Sequence, residues 1–187
     1  MVLLQSQQKL AIGEKAPDFS LKGVDGKTYT LSELEGNAFL IIFICNHCPY
    51  VLPKIETLKT LQDTYKDKGV LLIGINSNDP GIVPDDSFDN MQRFARAHAL
   101  NFPYLFDETQ DVARAYGAVC TPDPFLLDRA KKLAWHGRID DALSPGQVPR
   151  QHDMDEAIQE LLAKGKVTKP FLPSQGCSIK WKRHHTS

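Results

Sequence analysis

Two cysteines separated by two residues lie at the end of the longest apolar run of the chain. The run covers residues 38–45, and the segment around the cysteines reads Cys45-Asn46-His47-Cys48-Pro49. Two thiols at this spacing can form a disulfide and exchange it with another disulfide through attack by a thiolate. The spacing therefore predicts that Cys45 and Cys48 form a dithiol/disulfide couple.

The elements around the two cysteines predict that they react differently. The apolar run is typical of a buried strand, and a helical pattern follows it, so Cys45 is expected at a helix N-terminus. Free N–H groups and the helix dipole stabilise a thiolate there. Cys45 is therefore expected to expose its sulfur, to have a lowered pKa and to attack first, and Cys48 to face inward and resolve the mixed disulfide. An imidazolium on His47 would favour the Cys45 thiolate and make the pair more oxidising.

A structural disulfide and a metal site are the alternative interpretations of the pair. Structural disulfides are rare in a reducing cytosol. A zinc or iron–sulfur site needs three or four ligands, and the two other cysteines, Cys120 and Cys177, lie far along the chain. A metal site is possible only if the fold brings Cys120 and Cys177 close to Cys45 and Cys48. No residue is assigned as a metal ligand.

Composition and charge exclude several other classes of protein. The chain has 187 residues, which is typical of one domain with an extension. Its 22 basic and 23 acidic residues give a net charge of −1, which argues against nucleic-acid binding through phosphate charge. No apolar stretch approaches the ~20 residues of a membrane span, and no signal-peptide core is recognisable. We therefore expect a cytoplasmic protein that binds neither nucleic acid nor membranes.

The region that carries the two cysteines is predicted to be a β-α-β unit. Apolar runs at residues 39–44 and 70–75 are typical of strands covered on both faces. Between them, the period of the apolar residues predicts a helix over residues 46–66. The apolar residues at helical spacing are Val51, Ile55, Leu58 and Leu61. A connection of this kind is right-handed and joins parallel strands.

The remaining elements extend this unit into a mixed sheet. A hairpin signal at Asp25-Gly26 precedes a strand, and a later pair of strands joined by a tight turn must be antiparallel. The last 24 residues, rich in proline and glycine, are predicted to be an irregular tail. The further predicted strands cover residues 27–31, 104–106, 125–128 and 132–136, and the further helices cover residues 87–99, 109–116 and 153–163. This order predicts an α/β fold, a central mixed β-sheet flanked by helices on both faces.

Residues 13–165 resemble the thioredoxin-like superfamily, and residues 166–187 are predicted to be a separate C-terminal tail. The opening Gly13-Glu14-Lys15-Ala16-Pro17-Asp18-Phe19 is most similar to the branch that spans the redoxin (alkyl hydroperoxide reductase/thiol-specific antioxidant) family and the TlpA/ResA-type thiol–disulfide oxidoreductases. Pro53 matches the proline that kinks the active-site helix of thioredoxin. The Cys-Asn-His-Cys-Pro signature and the tail around Cys177 resemble a little-characterised cytosolic subgroup.

The resemblance implies further site residues. Thr121-Pro122 resembles the cis-proline loop, whose free backbone edge would lie opposite Cys45 and accept a substrate strand; alternatively, the prolines only break a loop. Asn46, His47 and Pro49 would line the site or tune its pKa values. Cys120, two residues before Pro122, is a candidate auxiliary thiol or a small buried hydrophobe. Cys177 is a second candidate auxiliary thiol or a packed tail cysteine.

The resemblance implies a thiol–disulfide oxidoreductase that needs no cofactor besides its redox-active disulfide. Its partners would be a protein or small-molecule disulfide and a thiol electron donor, and its oligomeric state is left open. The alternative is a peroxiredoxin-like antioxidant peroxidase, although Ile41 and Cys45 stand where that family has a proline and a threonine. A metal- or partner-binding module is the second alternative. The buried acid of thioredoxin is also missing, since Phe39 lies near its position.

Overall fold

A seven-stranded sheet forms the centre of the computed structural model, which describes residues 2–183. The strands are β1 (Leu3–Gln5), β2 (Ser20–Gly23), β3 (Thr28–Thr30), β4 (Ala38–Phe43), β5 (Val70–Asn76), β6 (Tyr104–Phe106), β7 (Cys120–Thr121), β8 (Asp123–Asp128), β9 (Leu133–His136) and β10 (Gln175–Ser178). The helices are α1 (Ile55–Tyr65), α2 (Phe88–Ala97), α3 (Asp111–Tyr116) and α4 (Asp153–Lys164).

The central sheet is mixed, as predicted. Its strand order is β3-β2-β6-β5-β4-β8-β9, in which β4 pairs in parallel with β5, and β5 pairs in parallel with β6. The other neighbours, including β4 and β8, are antiparallel. Every residue of β4 is buried, because the strand has neighbours on both edges and helices over both faces. The strand that ends at the two cysteines is therefore the most enclosed element of the sheet.

Alternate residues of β4 belong to two separate hydrophobic cores. Leu40 and Ile42 pack in the core that contains the inward residues of α1, α2 and α4. Phe39 and Ile41 pack on the opposite face, in the core that contains α3. This alternation follows from the period of two along a strand. The predicted arrangement with helices on both faces is confirmed, as is the N-terminal hairpin of β2 and β3.

The helix after the cysteines begins later than the sequence predicts. The periodicity predicts a helix from residue 46, whereas α1 begins at Ile55 after a 3₁₀ turn over Leu52–Lys54. Pro49 and Pro53 account for the delay, because a proline supplies no N–H and disfavours helical geometry in the residue before it. The first hydrogen-bonded turn is instead formed at Cys48, whose carbonyl oxygen accepts hydrogen bonds from the N–H groups of Val51 and Leu52.

The C-terminal tail is more regular than predicted. Residues 175–178 form β10, which lies between β1 and β7 in a second sheet of three antiparallel strands. The prediction of an irregular tail is wrong for these residues. Short strands such as β1 and β10 carry no readable alternation, and their pairing partners are remote in sequence. The predicted boundary between residues 165 and 166 stays a prediction.

Among residues 2–183, the helices are too short or too polar to cross a bilayer.

Candidate active site

Cys45 and Cys48 lie directly beyond the carboxyl end of β4, and both side chains are buried, with 0 % of their surface exposed. The expectation that Cys45 exposes its sulfur is therefore wrong. The hydroxyl oxygen of Thr121 lies 3.4 Å from Cys45 Sγ, and the carbonyl oxygen of the same residue lies 3.3 Å from Cys48 Sγ. The Thr121–Pro122 peptide bond is cis, as predicted. The loop of residues 121–122 therefore lies over both sulfur atoms.

The two cysteines differ in acidity in the opposite sense to the sequence prediction. A hydrogen bond from Cys45 lowers the pKa of Cys48 to about 5, against the effect of burial and with further help from Cys177 and the backbone N–H of Tyr50. The same hydrogen bond, together with burial and the charge of Asp86, raises the pKa of Cys45 well above its usual value. These shifts favour the thiolate form of Cys48 in the reduced pair, with Cys45 as its donor.

The late start of the helix contributes to this reversal. Cys48, rather than Cys45, begins the first helical turn, and the backbone N–H of Tyr50 in that turn favours negative charge on Cys48. A carboxylate near Cys45 has the opposite effect, because two negative charges at close range disfavour each other. The protonated form of Cys48 also has a partner, since it can donate to the carbonyl oxygen of Thr121.

The carboxylate is that of Asp86, which the sequence analysis missed. Asp86 is fully buried and comes from the loop after β5. Its Oδ1 accepts hydrogen bonds from the Asn46 N–H (2.8 Å) and the Asn76 side chain (3.1 Å), and its Oδ2 accepts one from Asn78 (2.7 Å). Burial opposes its ionisation, but His47, Asn46 and Asn78 hold its pKa below the usual value.

A signal for Asp86 was present in the sequence. Parallel strands place their carboxyl ends at one edge of the sheet, and ligands and reactive groups collect at that edge. Since β4 and β5 are predicted to be parallel, polar residues in the loop after β5 are expected beside Cys45. Asp86 is one of these residues.

His47 forms an ion pair with Asp86 rather than acting on Cys45 alone. Its Nδ1 lies 2.9 Å from Asp86 Oδ2, and 22 % of its side chain is exposed. Asp86 raises the pKa of His47, against the effect of burial, and the charge of Cys48 raises it further. The site therefore contains a solvent-accessible imidazole that links Asp86 to water.

Asn46 connects this ion pair to the sheet. Its side-chain nitrogen donates to the carbonyl oxygen of Asp85 (2.7 Å), and its side-chain oxygen accepts from the Tyr104 hydroxyl (2.9 Å). Asn46 is therefore a positioning residue, which fits its predicted place in the site.

Of the two candidate auxiliary thiols, the structure brings Cys177 to the dithiol. Cys177 lies on β10 with 1 % of its surface exposed, and its Sγ is hydrogen-bonded to Cys48 Sγ at 3.0 Å. Cys120, on β7, is buried. Burial and the charge of Asp123 raise the pKa of Cys120. The environment of Cys120 is that of a small buried hydrophobe.

A cleft beside the dithiol contains the two remaining predicted residues, Pro49 and Pro122. Tyr50, Arg138 and Gln175 also line it. The cleft combines apolar ring surfaces with two cations that are paired within the protein, Lys54 with Asp140 and Arg138 with Asp153. It lies between the segment of the two cysteines and the start of β10.

Cys45, His47 and Asp86 offer a set of possible metal ligands, since their ligand atoms lie within 4.8 Å of one another. A carboxylate has about four lone-pair sites. Hydrogen bonds from Asn46, Asn76 and Asn78 occupy three of the four sites of Asp86, and the His47 imidazole lies 2.9 Å from its Oδ2. Most of the carboxylate is therefore engaged by the protein, and the set fits a metal ion poorly.

A mixed sheet with helices on both faces and a Cys-x-x-Cys pair after its central strand defines a thioredoxin-fold redox protein. The sequence profile of the AhpC/TSA family matches residues 12–136. The chain belongs to this family, which confirms the predicted resemblance.

Several proteins are similar to this chain in sequence or in structure. The thiol-disulfide oxidoreductase ResA of Halalkalibacterium halodurans is 29 % identical over 150 residues, which cover 80 % of this chain and 76 % of ResA. An uncharacterized conserved protein from Geobacillus kaustophilus has a crystal structure with a TM-score of 0.90 and 41 % identity, covering 97 % of each chain. A hypothetical protein from Sinorhizobium meliloti has a TM-score of 0.89 and 38 % identity, covering 95 % of this chain and 98 % of that one.

Proposed function

We propose that this protein is a thiol–disulfide oxidoreductase whose redox couple is Cys45 and Cys48. The observation that carries the proposal is the Cys-x-x-Cys pair directly beyond β4, whose two sulfur atoms lie 3.4 Å and 3.3 Å from the hydroxyl and carbonyl oxygens of Thr121 in the cis-proline loop. The pKa of Cys48, which a hydrogen bond from Cys45 lowers to about 5, agrees with this assignment. A thiolate is the species that attacks disulfides. Relatives named thiol-disulfide oxidoreductase, such as the ResA protein of H. halodurans, support the same class of activity.

The reaction runs in two exchange steps. The Cys48 thiolate attacks one sulfur of a substrate disulfide, so that a Cys48–substrate disulfide forms and the other substrate sulfur leaves as a thiolate. Cys45 then loses its proton and attacks Cys48 Sγ. The Cys45–Cys48 disulfide forms, and the second substrate sulfur leaves. Two electrons pass from the dithiol to the substrate, and the reverse sequence oxidises a substrate dithiol.

Asp86 and His47 provide a route for the proton of Cys45. A ligand atom from each of them lies within 4.8 Å of Cys45 Sγ, and His47 is partly exposed to solvent. The proton can pass from Cys45 through the ion pair to water. In thioredoxin a buried acid lies near the position of Phe39, and this chain has none there. Asp86 and His47 would take over its acid–base function.

The partners in this proposal are a disulfide-containing protein or small molecule and a thiol that restores the dithiol. No cofactor is needed besides the Cys45–Cys48 disulfide. A stabilised thiolate favours the reduced form of the couple, which makes the disulfide a stronger oxidant. The lowered pKa of Cys48 therefore favours an oxidising role over that of a reductant.

Turnover of insulin or glutathione disulfide tests the proposal. We expect Cys48→Ser to lose turnover to the uncatalysed rate, because it removes the attacking thiolate. Cys120→Ser is the matched control, since it changes another buried cysteine of the same region, and it should keep turnover near that of the wild-type chain. Oxidised wild-type protein should contain the Cys45–Cys48 disulfide by peptide mapping. Wild-type turnover in Cys48→Ser, or no such disulfide, would contradict the proposal.

Thiol-dependent peroxide reduction is a second candidate function. It is favoured by membership of the AhpC/TSA family and by the hydrogen bond that the Cys48 thiolate receives from Cys45. In that reaction the Cys48 thiolate takes the terminal oxygen of a peroxide and becomes a sulfenic acid, which a thiol reduces back through a disulfide. Consumption of hydrogen peroxide that exceeds disulfide turnover, and that is lost in Cys48→Ser, would favour this function.

A further inference from the structure

Strand β10 lies on the edge of β7 in the manner of an added peptide strand. The pairing is antiparallel and joins Cys177 to Thr121 and Ser178 to Cys120. Peptides that add to a sheet edge obtain main-chain hydrogen bonds and present alternate side chains to the protein. Here the added strand belongs to the same chain, and it presents a cysteine to the dithiol.

Cys177 is the side chain that β10 presents. Its sulfur lies 3.0 Å from Cys48 Sγ, and 1 % of its surface is exposed. Cys48 therefore has a thiol neighbour on each side, Cys45 from its own segment and Cys177 from the tail. The 3.0 Å separation of Cys48 Sγ and Cys177 Sγ places Cys177 within reach of exchange at Cys48.

Gly176 makes this approach possible. A Cβ atom at position 176 would lie 1.8 Å from the carbonyl oxygen of Thr121, which no side chain can accept without a shift of the backbone. Glycine is the residue that allows one backbone to approach another so closely. A residue without a side chain thus precedes Cys177 at the point where β10 approaches Thr121.

Hydrogen bonds hold β10 in place at both ends. On one side, Ser174 and Ser6 exchange two hydrogen bonds of 2.9 Å, one between backbone groups and one to the Ser6 hydroxyl. On the other side, the N–H of Lys180 donates to the Asn78 side chain at 2.8 Å, and the Lys180 carbonyl oxygen accepts from the N–H of Asp79 at 2.9 Å. The position of Cys177 is therefore fixed by contacts on both sides of it.

We propose that Cys177 is a third redox thiol of this site and forms a disulfide with Cys48. The inference rests on the proposed thiol–disulfide exchange and adds a second partner for the same sulfur. When Cys48 is joined to a substrate sulfur, Cys177 loses its proton to water and attacks Cys48 Sγ. The Cys48–Cys177 bond forms, and the substrate sulfur leaves as a thiolate and is protonated. Cys177 can also attack Cys48 when Cys48 is joined to Cys45. The Cys45–Cys48 bond then breaks, the Cys48–Cys177 bond forms and Cys45 leaves as a thiol, so that the protein neither gains nor loses electrons.

The acidity of Cys177 changes during this sequence. Burial and the hydrogen bond to Cys48 raise the pKa of Cys177 to about 12 in the reduced site. The second cause disappears when Cys48 is in a disulfide, because that sulfur then carries no negative charge. Lys180 acts in the opposite direction and favours the Cys177 thiolate. Cys177 thus becomes easier to ionise at the stage where it must attack.

Peptide mapping after oxidation with glutathione disulfide tests the inference. In Cys45→Ser, glutathione disulfide should join Cys48, and Cys177 should then displace the glutathione. Trypsin separates the two cysteines, since Cys48 lies in residues 28–54 and Cys177 in residues 167–180. We expect the linked pair of these peptides to be the main oxidised species. Wild-type protein gives a second readout. After the same oxidation, we expect it to contain the linked pair of peptides together with the Cys45–Cys48 disulfide.

Gly176→Ala in the Cys45→Ser chain should lower the yield of linked peptides several-fold, because it displaces β10. Gly81→Ala is the control, since the three atoms nearest to its Cβ would belong to the Asp79 side chain, the closest at 3.2 Å, and it should leave the yield unchanged. The inference would be overturned if glutathione stayed on Cys48 in Cys45→Ser and if neither Cys45→Ser nor wild-type protein gave the linked pair of peptides. The proposed function would survive that result if wild-type protein still forms the Cys45–Cys48 disulfide, and it would fail if that disulfide is absent.

Discussion

At the scale of single residues, the chemistry of the site depends on which of two neighbouring sulfur atoms carries the charge. Cys48 begins a helical turn, and its pKa is lowered to about 5, first by a hydrogen bond from Cys45. The same hydrogen bond, burial and the charge of Asp86 raise the pKa of Cys45. The sequence located both sulfur atoms through their spacing. The thiolate was assigned to Cys45 because the helix was expected to begin there. Asp86 was overlooked, although the parallel pairing of β4 and β5 places the loop after β5 beside Cys45.

Ultraviolet absorbance of the reduced protein checks the assignment of the thiolate. We expect thiolate absorbance to rise with a midpoint near pH 5, because the pKa of Cys48 is lowered to about 5. The pKa values of Cys45, Cys120 and Cys177 are raised, so these thiols stay protonated through neutral pH.

Cys48→Ser should remove this transition, and Cys120→Ser should leave it in place. A transition that survives in Cys48→Ser and is lost in Cys45→Ser would show that Cys45 carries the charge.

At the scale of elements, β4 and α1 position the dithiol. The apolar runs of β4 and β5 and the spacing of the inward residues of α1 were readable from the sequence, because these elements are long and regular. The start of α1 was predicted too early, since Pro49 and Pro53 shift it towards the C-terminus. β10 was missed because four residues that include a glycine carry no strand pattern, and the strand is stabilised by pairing with remote segments.

Replacement of a single leucine tests the packing of α1. Leu58 is fully buried in the core between α1 and β4, so Leu58→Ala should lower the free energy of unfolding by about 2–5 kcal/mol. Leu52 lies in the 3₁₀ turn before the same helix and is 41 % exposed. Leu52→Ala should cost about 1 kcal/mol or less. Urea denaturation measures both, and equal losses would contradict the packing described for α1.

At the scale of the whole molecule, the fold brings segments that are remote in sequence to one site. The cysteine segment follows β4, Asp86 follows β5, Thr121 lies on β7 and Cys177 lies on β10. The sequence predicted the mixed sheet, the helices on both faces and the family, because they depend on long apolar patterns and on motifs. It could not predict how the tail packs, because that depends on pairing with β1 and β7. The cytoplasmic location stays a prediction.

The redox potential of the Cys45–Cys48 couple tests the central claim most directly. The measurement is best made on Cys177→Ser, in which Cys45 is left as the disulfide partner of Cys48 at this site. The protein is equilibrated with mixtures of reduced and oxidised glutathione, and the fraction of disulfide is quantified at each ratio. We expect a single two-electron transition, because one disulfide forms from one dithiol. Its potential should be more positive than that of thioredoxin (about −270 mV), because the stabilised Cys48 thiolate favours the reduced form. The absence of such a transition, or its persistence when Cys45 is also replaced by serine, would contradict the account.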